Sequence, residues 1–245
     1  MSGLSWTVLR LHRTALIVWG AFVLGSVGYL VWLTEVTADS AYATLDACPR
    51  GEACGLGAAY TYSTGMGWTS TFLYYSFWAV AAWAGGALVG RELESGTARL
   101  AWSQGVSPAR WLAAKLTLPA LALVLGGAVF VPVYRWAWSA HRDLMGDNRF
   151  HPDVFAVHGP LVVAYGLCAL AVGTLTGLLL GRTLPALAVS VAVMTLLNRS
   201  LGSHRPDPLP TSPFWAAHLT ETGLALTVAA LATAASFRVL HRRTA

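Results

Sequence analysis

Long apolar runs separated by polar segments dominate the chain. A helix needs about 20 predominantly apolar residues to cross a bilayer, and six runs approach or exceed this length. They are 14–33, 71–90, 116–134, 157–180, 183–198 and 215–237. The pattern therefore predicts an all-α integral membrane protein with six transmembrane helices. Because no linker or repeat divides the chain, we expect 1–245 to form a single transmembrane domain.

The fifth run is shorter than the others, and a proline-rich stretch follows it. Two structures would accommodate a short span of this kind. The helix could cross the membrane at a thinned or protein-lined place, or the chain could continue into a re-entrant segment through 201–213.

The apolar runs are separated by outer and inner polar loops, and a short amphipathic segment precedes the first run. Segments 34–70 and 135–156 are predicted to be loops on the outer side of the membrane, and 91–115 is predicted to be a charged loop on the inner side. The start of the chain, 2–13, combines apolar side chains with two arginines and is predicted to be an interfacial helix. A plain basic flank on the first span is the alternative.

The charged inner loop contains helix signals of its own. Gly96 interrupts the helix that leaves the second run, Thr97 is suited to N-cap a short new helix, and Gly105 is suited to end it. Ser107 and Pro108 then offer an N-cap and a first helical residue for the third span. We therefore expect a short cytoplasmic helix that lies across the mouth of spans two and three.

Composition and charge agree with a membrane protein of defined orientation. Charged residues make up 11% of the chain, against about 25% in soluble domains. With both termini inside, the inner segments hold ten basic and two acidic residues, and the outer segments hold six basic and nine acidic residues. Since cytoplasmic loops retain Lys and Arg, the net charge of +5 is a topology signal and gives no indication of nucleic-acid binding.

The common catalytic motifs are absent from the sequence. It has no G-x-x-x-x-G-K-[ST] loop, and its only lysine is Lys115, so this chain cannot hold ATP in a P-loop and the energy must come from a second polypeptide. It also lacks G-x-S-x-G, H-E-x-x-H and Cys-x-x-Cys. We therefore predict that the chain is not an enzyme.

Several polar residues have both a functional and an ordinary interpretation. The outer segment 135–156 and the start of the fourth run could hold a metal, but the irregular spacing favours a solvated loop. The residues concerned are His141, His151, His158, Asp143, Asp147 and Asp153. Glu221 lies one turn from His218 and could relay protons; a position at the outer headgroup level, where water solvates it, is the favoured alternative.

Cysteines and glycines add two packing predictions. Cys48 and Cys54 share the first outer loop, and their compartment and even number favour a small disulfide loop over two free thiols. Cys168 lies in the fourth run and is expected to be inert. Gly173, Gly177 and Gly181 form a G-x-x-x-G-x-x-x-G ladder, with Gly85, Gly86 and Gly90 on the second run. Such faces let helix backbones approach closely, within one subunit or between two.

The inner loop resembles that of the permease subunits of type-2 ATP-binding-cassette exporters. Their loop reads R-E-x-E-x-G-T-x-x-L-x-x-S-x-x-V-S-x-x-R-x-x-x-x-K. The matching residues here are Arg91, Glu92, Glu94, Gly96, Thr97, Leu100, Ser103, Val106, Ser107, Arg110 and Lys115. A weaker likeness extends along most of the chain, and the turn at 181–187, GRTLPAL, is similar to the actinobacterial branch of the family.

This resemblance implies a permease of the bacterial cytoplasmic membrane that spans it several times with both termini in the cytoplasm. Two copies of a cytoplasmic ATPase subunit would bind ATP and Mg²⁺, with no cofactor and no metal in this chain. The permease would pair with a second copy or a close paralogue. The residues expected to couple to the ATPase are Arg91, Glu92, Glu94, Gly96, Thr97, Arg99, Leu100 and Trp102.

The resemblance also implies a substrate cavity at the dimer interface, lined by the second and fifth spans. The expected lining residues are Phe72, Tyr75, Trp78, Val193, Thr195 and Asn198. Apolar and aromatic walls with few fixed charges favour an amphipathic or hydrophobic substrate, such as a drug, antibiotic, peptide or lipid. A proton-coupled secondary carrier and an intramembrane enzyme are the alternatives.

Overall fold

The computed structural model describes residues 3–47, 56–145, 149–203 and 214–244, with backbone only for 3–9, 11, 56 and 58. The helices are α1 (Gly3–Trp32), α2 (Ala38–Asp46), α3 (Leu56–Trp83), α4 (Arg91–Glu94), α5 (Thr97–Ser103), α6 (Pro108–Ala140), α7 (Pro152–Val157), α8 (Leu161–Leu180), α9 (Thr183–Gly202) and α10 (Phe214–Thr244). Six helical stretches are long and apolar enough to cross a membrane, and no strand occurs in these ranges. The predicted all-α membrane fold with six spans is confirmed.

The first two spans are much longer than the apolar runs that predicted them. A π-helical turn at Leu33–Thr37 carries α1 directly into α2, and a second at Ala84–Gly90 carries α3 into α4. At about 1.5 Å per residue, each stretch exceeds a hydrocarbon core of about 30 Å. Much of the predicted loop 34–70 is therefore helix. The polar residues that end the apolar run include neither glycine nor proline before Cys48, so nothing local stops the helix.

The N-terminal segment is helical and continuous with the first span. α1 runs without a break from Gly3 into the first span, because neither glycine nor proline interrupts it before Gly20. Whether this segment lies at the membrane interface or forms a plain basic flank of the span stays a prediction. The fifth span is also longer than predicted, since the 20 residues of α9 measure about 30 Å. It needs no thinned membrane, and the predicted re-entrant segment lies mostly outside the described residues.

The second outer segment folds back onto the bundle. α6 continues to Ala140, a 3-10 turn follows at Arg142–Leu144, and α7 packs its side chains inward before α8 begins at Leu161. The predicted loop 135–156 is thus largely helical. The break between α7 and α8 falls at Gly159 and Pro160.

α8 lies at the centre of the bundle, where it packs against α3, α9, α10 and the π-helical turn Ala84–Gly90. A β-carbon on Gly173 would lie 2.6 Å from the carbonyl oxygen of Ala81, and one on Gly177 would lie 2.8 Å from that of Gly85. The glycine ladder therefore serves packing within one subunit. Gly181 ends α8 instead of extending the ladder, with φ of 62° in the left-handed region that glycine adopts readily.

Candidate functional site

α4 and α5 form an elbow between the second and third spans. Gly96 has φ of 76° and Gly105 has φ of 89°, both in the left-handed region that favours glycine. The predictions that Gly96 interrupts the helix and that Gly105 ends α5 are confirmed. The predicted N-cap was wrong: Gly96 occupies that position and Thr97 is the first residue of α5. The Thr97 hydroxyl instead donates to the carbonyl oxygen of Glu92 at 3.3 Å.

The third span begins at the residues that the sequence predicted. Ser107 has the extended backbone of an N-cap, with φ of −64° and ψ of 141°, and Pro108 occupies the first turn of α6. The Ser107 side chain makes no capping hydrogen bond. Backbone conformation and the proline, without a side-chain cap, therefore define this start.

Glu92 attaches the elbow to α6. Its carboxylate accepts hydrogen bonds from Lys115 Nζ at 2.6 Å and from Trp111 Nε1 at 3.2 Å. Lys115 is only 2% exposed, and its Nζ lies 3.4 Å from His12 Nε2 on α1. The elbow is thus connected to α6 directly and to α1 through Lys115. Lys115 was absent from the predicted coupling residues, although it is the only lysine and the last position of the loop motif.

Glu94 attaches the elbow to α9. Its carboxylate accepts hydrogen bonds from the backbone N–H of Thr183 at 2.8 Å and from the Thr183 hydroxyl at 2.6 Å. Thr183 is the first residue of α9, where backbone N–H groups have no partner within the helix. A carboxylate at this position also interacts favourably with the helix dipole. No short-range sequence signal reveals this contact.

α5 presents one face to the bundle and the other outward. Ala98 is buried, and the Trp102 ring packs edge-on against Trp111 at 5.7 Å between centroids. Leu100 is 59% exposed, and Arg99 is exposed beside it. Residues four apart on a helix share a face, so Ala98 and Trp102 both point inward. Of the predicted coupling residues Leu100 and Trp102, only Leu100 faces outward.

A large groove of about 1440 Å³ lies between α1, α3 and α6. The predicted cavity residues Phe72, Tyr75 and Trp78 line it, and the rings of Tyr75 and Trp78 stack at 4.6 Å. At one end the groove reaches His12, Glu92 and Lys115, where Glu92 attaches the elbow. Its other walls are mainly apolar and include Val18, Trp19, Phe22, Val80, Trp83 and Leu123.

The predicted cavity residues on α9 do not line this groove. The Asn198 amide donates to the hydroxyl of Tyr74 at 2.6 Å, so this part of α9 packs on α3. Tyr74 and Tyr75 are neighbours in the chain, and successive residues on a helix point about 100° apart. α3 therefore presents Tyr74 to α9 and Tyr75 to the groove. A shared cavity that includes Val193 and Thr195 stays a prediction.

Glu221 lies inside the bundle and lacks the solvent exposure that the favoured interpretation predicted. It is buried, and the hydroxyl of Tyr165 on α8 donates a short hydrogen bond to its carboxylate. His218, one turn earlier, accepts a hydrogen bond from the backbone N–H of Leu161 at 3.3 Å. This face of α10 turns inward because it packs along α8.

The outer histidines each bind different neighbours. His141 lies within hydrogen-bond distance of Tyr42 and Thr34, and the Nδ1 of His158 lies 2.8 Å from the carbonyl oxygen of Val154. His151 pairs with Asp153. Within the described ranges, no three of the His, Cys, Asp and Glu side chains come together as a metal site. Cys48 and Cys54 lie outside these ranges, so their disulfide stays a prediction, whereas Cys168 is a buried free thiol.

Asp153 anchors α7 to α3. It accepts hydrogen bonds from Ser70 at 2.8 Å and from Thr71 at 2.7 Å, in addition to its pair with His151. Burial acts to raise the pKa of Asp153, but the hydrogen bonds from His151, Thr71 and Ser70 outweigh it and lower the pKa below its usual value.

A family model described as ABC-2 membrane transporter related matches residues 19–203. The match spans most of the chain and includes the elbow, the groove-lining part of α3 and the start of α9. No curated protein and no solved structure shows significant similarity to the chain. Six membrane-spanning helices agree with the family description. The chain therefore belongs to the ABC-2 membrane transporter related family, and it is a multi-pass membrane subunit of the transporter type.

Proposed function

We propose that the chain is the membrane-spanning subunit of an ATP-driven exporter and that a separate ATPase docks on α5. The exposed pair of Arg99 and Leu100 carries this proposal, because it offers a cationic and an apolar contact on a helix that is held firmly from behind. Family membership supports the same assignment. The ATPase would bind ATP and Mg²⁺, for which this chain has no P-loop.

The contacts of the two glutamates suggest how movement of the ATPase reaches the membrane. Glu92 connects the elbow to α6 and, through Lys115, to α1. Glu94 connects it to α9. A push on α5 would therefore displace two walls of the groove, α1 and α6, together with α9. The exposed Leu100 receives the push, and the two carboxylates transmit it.

The groove fits an amphipathic or hydrophobic substrate. Its walls are apolar and aromatic, whereas its charged groups cluster at the end near Lys115. Trp78 lines the groove, and its ring stacks with that of Tyr75. A drug, antibiotic, peptide or lipid would meet this description.

Orientation and assembly complete the proposal. We place the elbow, both termini and the basic end of α10 in the cytoplasm, because cytoplasmic segments retain basic residues. Arg243, near the end of α10, donates a hydrogen bond to the carbonyl oxygen of Leu179, where α8 reaches the elbow. This contact supports placing the end of α10 and the elbow on the same side of the membrane. Two permease copies, or a copy and a close paralogue, would pair in the bacterial cytoplasmic membrane with two ATPase subunits. The likeness of 181–187 supports an actinobacterial origin.

Reconstitution of the chain with its ATPase tests the proposed function. We expect ATP-dependent export of an amphipathic fluorescent drug from vesicles that contain both proteins, and none from vesicles with either alone. Leu100→Asp should abolish co-purification of the ATPase. The matched control is Leu184→Asp, because Leu184 is an exposed leucine at the same end of the bundle, on α9. Equal export by the permease alone would contradict the proposal.

The burial of Glu221 favours a proton-coupled carrier as the second candidate function. A carboxylate inside a membrane bundle is costly and is typical of proton pathways, and the Tyr165 hydroxyl supplies a hydrogen-bonded neighbour. Transport driven by a pH gradient without ATP, and lost in Glu221→Gln, would support the carrier. Export that needs ATP and survives Glu221→Gln would support the ATP-driven transporter.

A further inference from the structure

A small pocket of about 330 Å³ lies at the end of the bundle opposite the elbow. It is lined by Arg135, Trp136, Trp138, Ser139, Arg142, Arg149, His158, Phe214 and Trp215. α6 begins at the elbow with Pro108, so Arg135 lies 27 residues further along the helix, a distance of about 40 Å. α10 runs the other way, and its first residues, Phe214 and Trp215, complete the pocket.

Three arginines meet in this pocket, and no carboxylate is among the described residues that line it. Arg135, Arg142 and Arg149 form no ion pair with any carboxylate that the structure describes. The described acids nearby are engaged elsewhere. Asp143 accepts hydrogen bonds from the Tyr42 hydroxyl at 2.8 and 2.9 Å, and Asp153 accepts them from α3. Like charges that line one pocket repel one another unless an anion compensates them.

The aromatic walls hold part of this charge in a fixed position. The guanidinium of Arg135 lies over the Trp215 ring, 5.2 Å from its centroid, which is a favourable cation–π distance. The His158 ring packs edge-on against Trp138 at 4.8 Å. Burial lowers the pKa of His158, and the positive charges of Arg135 and Arg149 lower it further. His158 and Trp138 therefore form part of the pocket wall beside the arginines.

The length of α6 and the residues beside the pocket favour a position at headgroup depth. α6 is 33 residues long, about 50 Å, and so extends beyond a hydrocarbon core of about 30 Å. Trp136 and Trp215 are partly exposed beside the arginines, as is typical of residues at a membrane interface. The pocket volume lies at the lower end of the range for small-molecule sites, about 300–1,000 Å³. It suits a headgroup and not a whole amphiphile.

We propose that this pocket binds a phosphate group, supplied either by an anionic phospholipid or by a soluble phosphate ester. Arginine side chains bind phosphate through paired, charge-assisted hydrogen bonds. Arg142 and Arg149 contact the phosphate, and Arg135 contributes positive charge from its position on Trp215. This site is separate from the groove and from the elbow, and it does not depend on transport.

Binding of phosphatidylglycerol to the full chain tests this site. The protein is reconstituted in phosphatidylcholine with added phosphatidylglycerol, and native mass spectrometry measures the anionic lipid that stays bound. The variant is Arg142→Gln with Arg149→Gln. The matched control is Arg199→Gln, because Arg199 is an exposed arginine in the last turn of α9, at the same end of the bundle and outside the pocket. We expect about tenfold weaker binding in the variant, since charge-assisted hydrogen bonds are lost.

A second arm distinguishes the two sources of phosphate. Glycerol phosphate and inorganic phosphate are titrated onto the protein in pure phosphatidylcholine nanodiscs by calorimetry. If the variant loses binding of phosphatidylglycerol but not of the soluble phosphates, the natural ligand is a lipid headgroup. If it loses binding of the soluble phosphates but not of phosphatidylglycerol, the ligand is a soluble phosphate ester. Equal binding by wild type, variant and control in both arms would overturn the proposal. Arg142 is exposed, so the single Arg142→Gln variant keeps the test valid if the double variant unfolds.

Discussion

Glu94 and Thr183 are 89 positions apart in the chain, yet the Glu94 carboxylate accepts two hydrogen bonds from Thr183, at 2.8 and 2.6 Å. Glu94 ends α4, and Thr183 begins α9. One side chain therefore attaches the elbow to the fifth span. The contact combines a helix cap with a link between two segments that the apolar pattern treats as independent.

The first prediction concerns this link. Glu94→Gln keeps an acceptor but loses the charge that favours the helix N-terminus, so we expect the ATPase to remain bound while less substrate is exported per ATP hydrolysed. Thr183→Val should have a similar effect, because it removes the hydroxyl donor. The measurement is the ratio of transport to ATP hydrolysis in vesicles. Glu35→Gln, at an exposed position on the first span, is the control. Additive losses in the double variant would contradict a direct link.

The second prediction concerns the ion pair of Glu92 and Lys115. Removing one partner of a buried ion pair costs about 3–5 kcal/mol, because it leaves the other charge unpaired. We therefore expect Glu92→Gln or Lys115→Met alone to lower thermal stability in detergent markedly. The double variant should lose less stability than the two single variants lose in sum. A strictly additive double-mutant cycle would show that the pair makes no specific contribution.

The sequence predicted the membrane spans well because long apolar runs have few other structures available. Gly96, Gly105 and Pro108 marked the bounds of α5 and α6 for a similar reason, since backbone sterics act locally. The extent of α1 and α3 was not predictable in this way. Their polar extensions are helical because nothing local stops them and because they pack on neighbouring helices, which hydropathy does not report.

The candidate site was predictable only in part. Sequence similarity marked the elbow, but the roles of Glu92 and Glu94 depend on Lys115 and Thr183, which are distant in the chain. The inward direction of Trp102 follows from its spacing with Ala98, once the buried face of α5 is known. The third span, which forms a wall of the groove, was missing from the predicted cavity because no motif marks it.

The third prediction concerns the close approach of α8 to the π-helical turn. Gly177→Leu places a side chain where a β-carbon alone would lie 2.8 Å from the Gly85 carbonyl oxygen. We expect the purified protein to lose a few kcal/mol of stability or to aggregate, as overpacked cores do. Gly25→Leu is the control, because a β-carbon there meets nothing within 4 Å. Equal melting temperatures for both variants would contradict the packing described here.

The fourth prediction uses the lowered pKa of Asp153. A carboxylate whose pKa is lower in the folded than in the unfolded chain stabilises the fold above its unfolded pKa, about 3.9, and this contribution is lost as pH falls through the folded pKa. Asp153→Asn should therefore destabilise the protein at neutral pH. The difference from wild type should shrink below about pH 4. Thermal unfolding between neutral and acid pH measures it, and a difference independent of pH would contradict the prediction.

The fifth prediction distinguishes the two large apolar residues of α5, Leu100 and Trp102. Leu100 is 59% exposed, so Leu100→Ala removes an apolar surface that contributes little to packing within the bundle. It should leave thermal stability unchanged and weaken ATPase binding. Truncation of an apolar anchor at the centre of an interface costs about 2 kcal/mol or more, which corresponds to roughly thirtyfold weaker binding.

Trp102→Ala, in contrast to Leu100→Ala, should first lower the stability of the permease itself. The ring packs on Trp111, whose indole donates to Glu92, so the loss first loosens the elbow and only then affects the ATPase. We expect a lower melting temperature of the permease alone, with reduced coupling as the consequence. Trp102→Phe keeps an aromatic ring against Trp111 and should restore most of the melting temperature and most of the coupling. Pull-down of the ATPase, melting temperature and transport are measured for each variant. If Leu100→Ala retains full ATPase binding and export, α5 is not the docking helix, and the exposed face of Arg99 and Leu100 has no part in coupling.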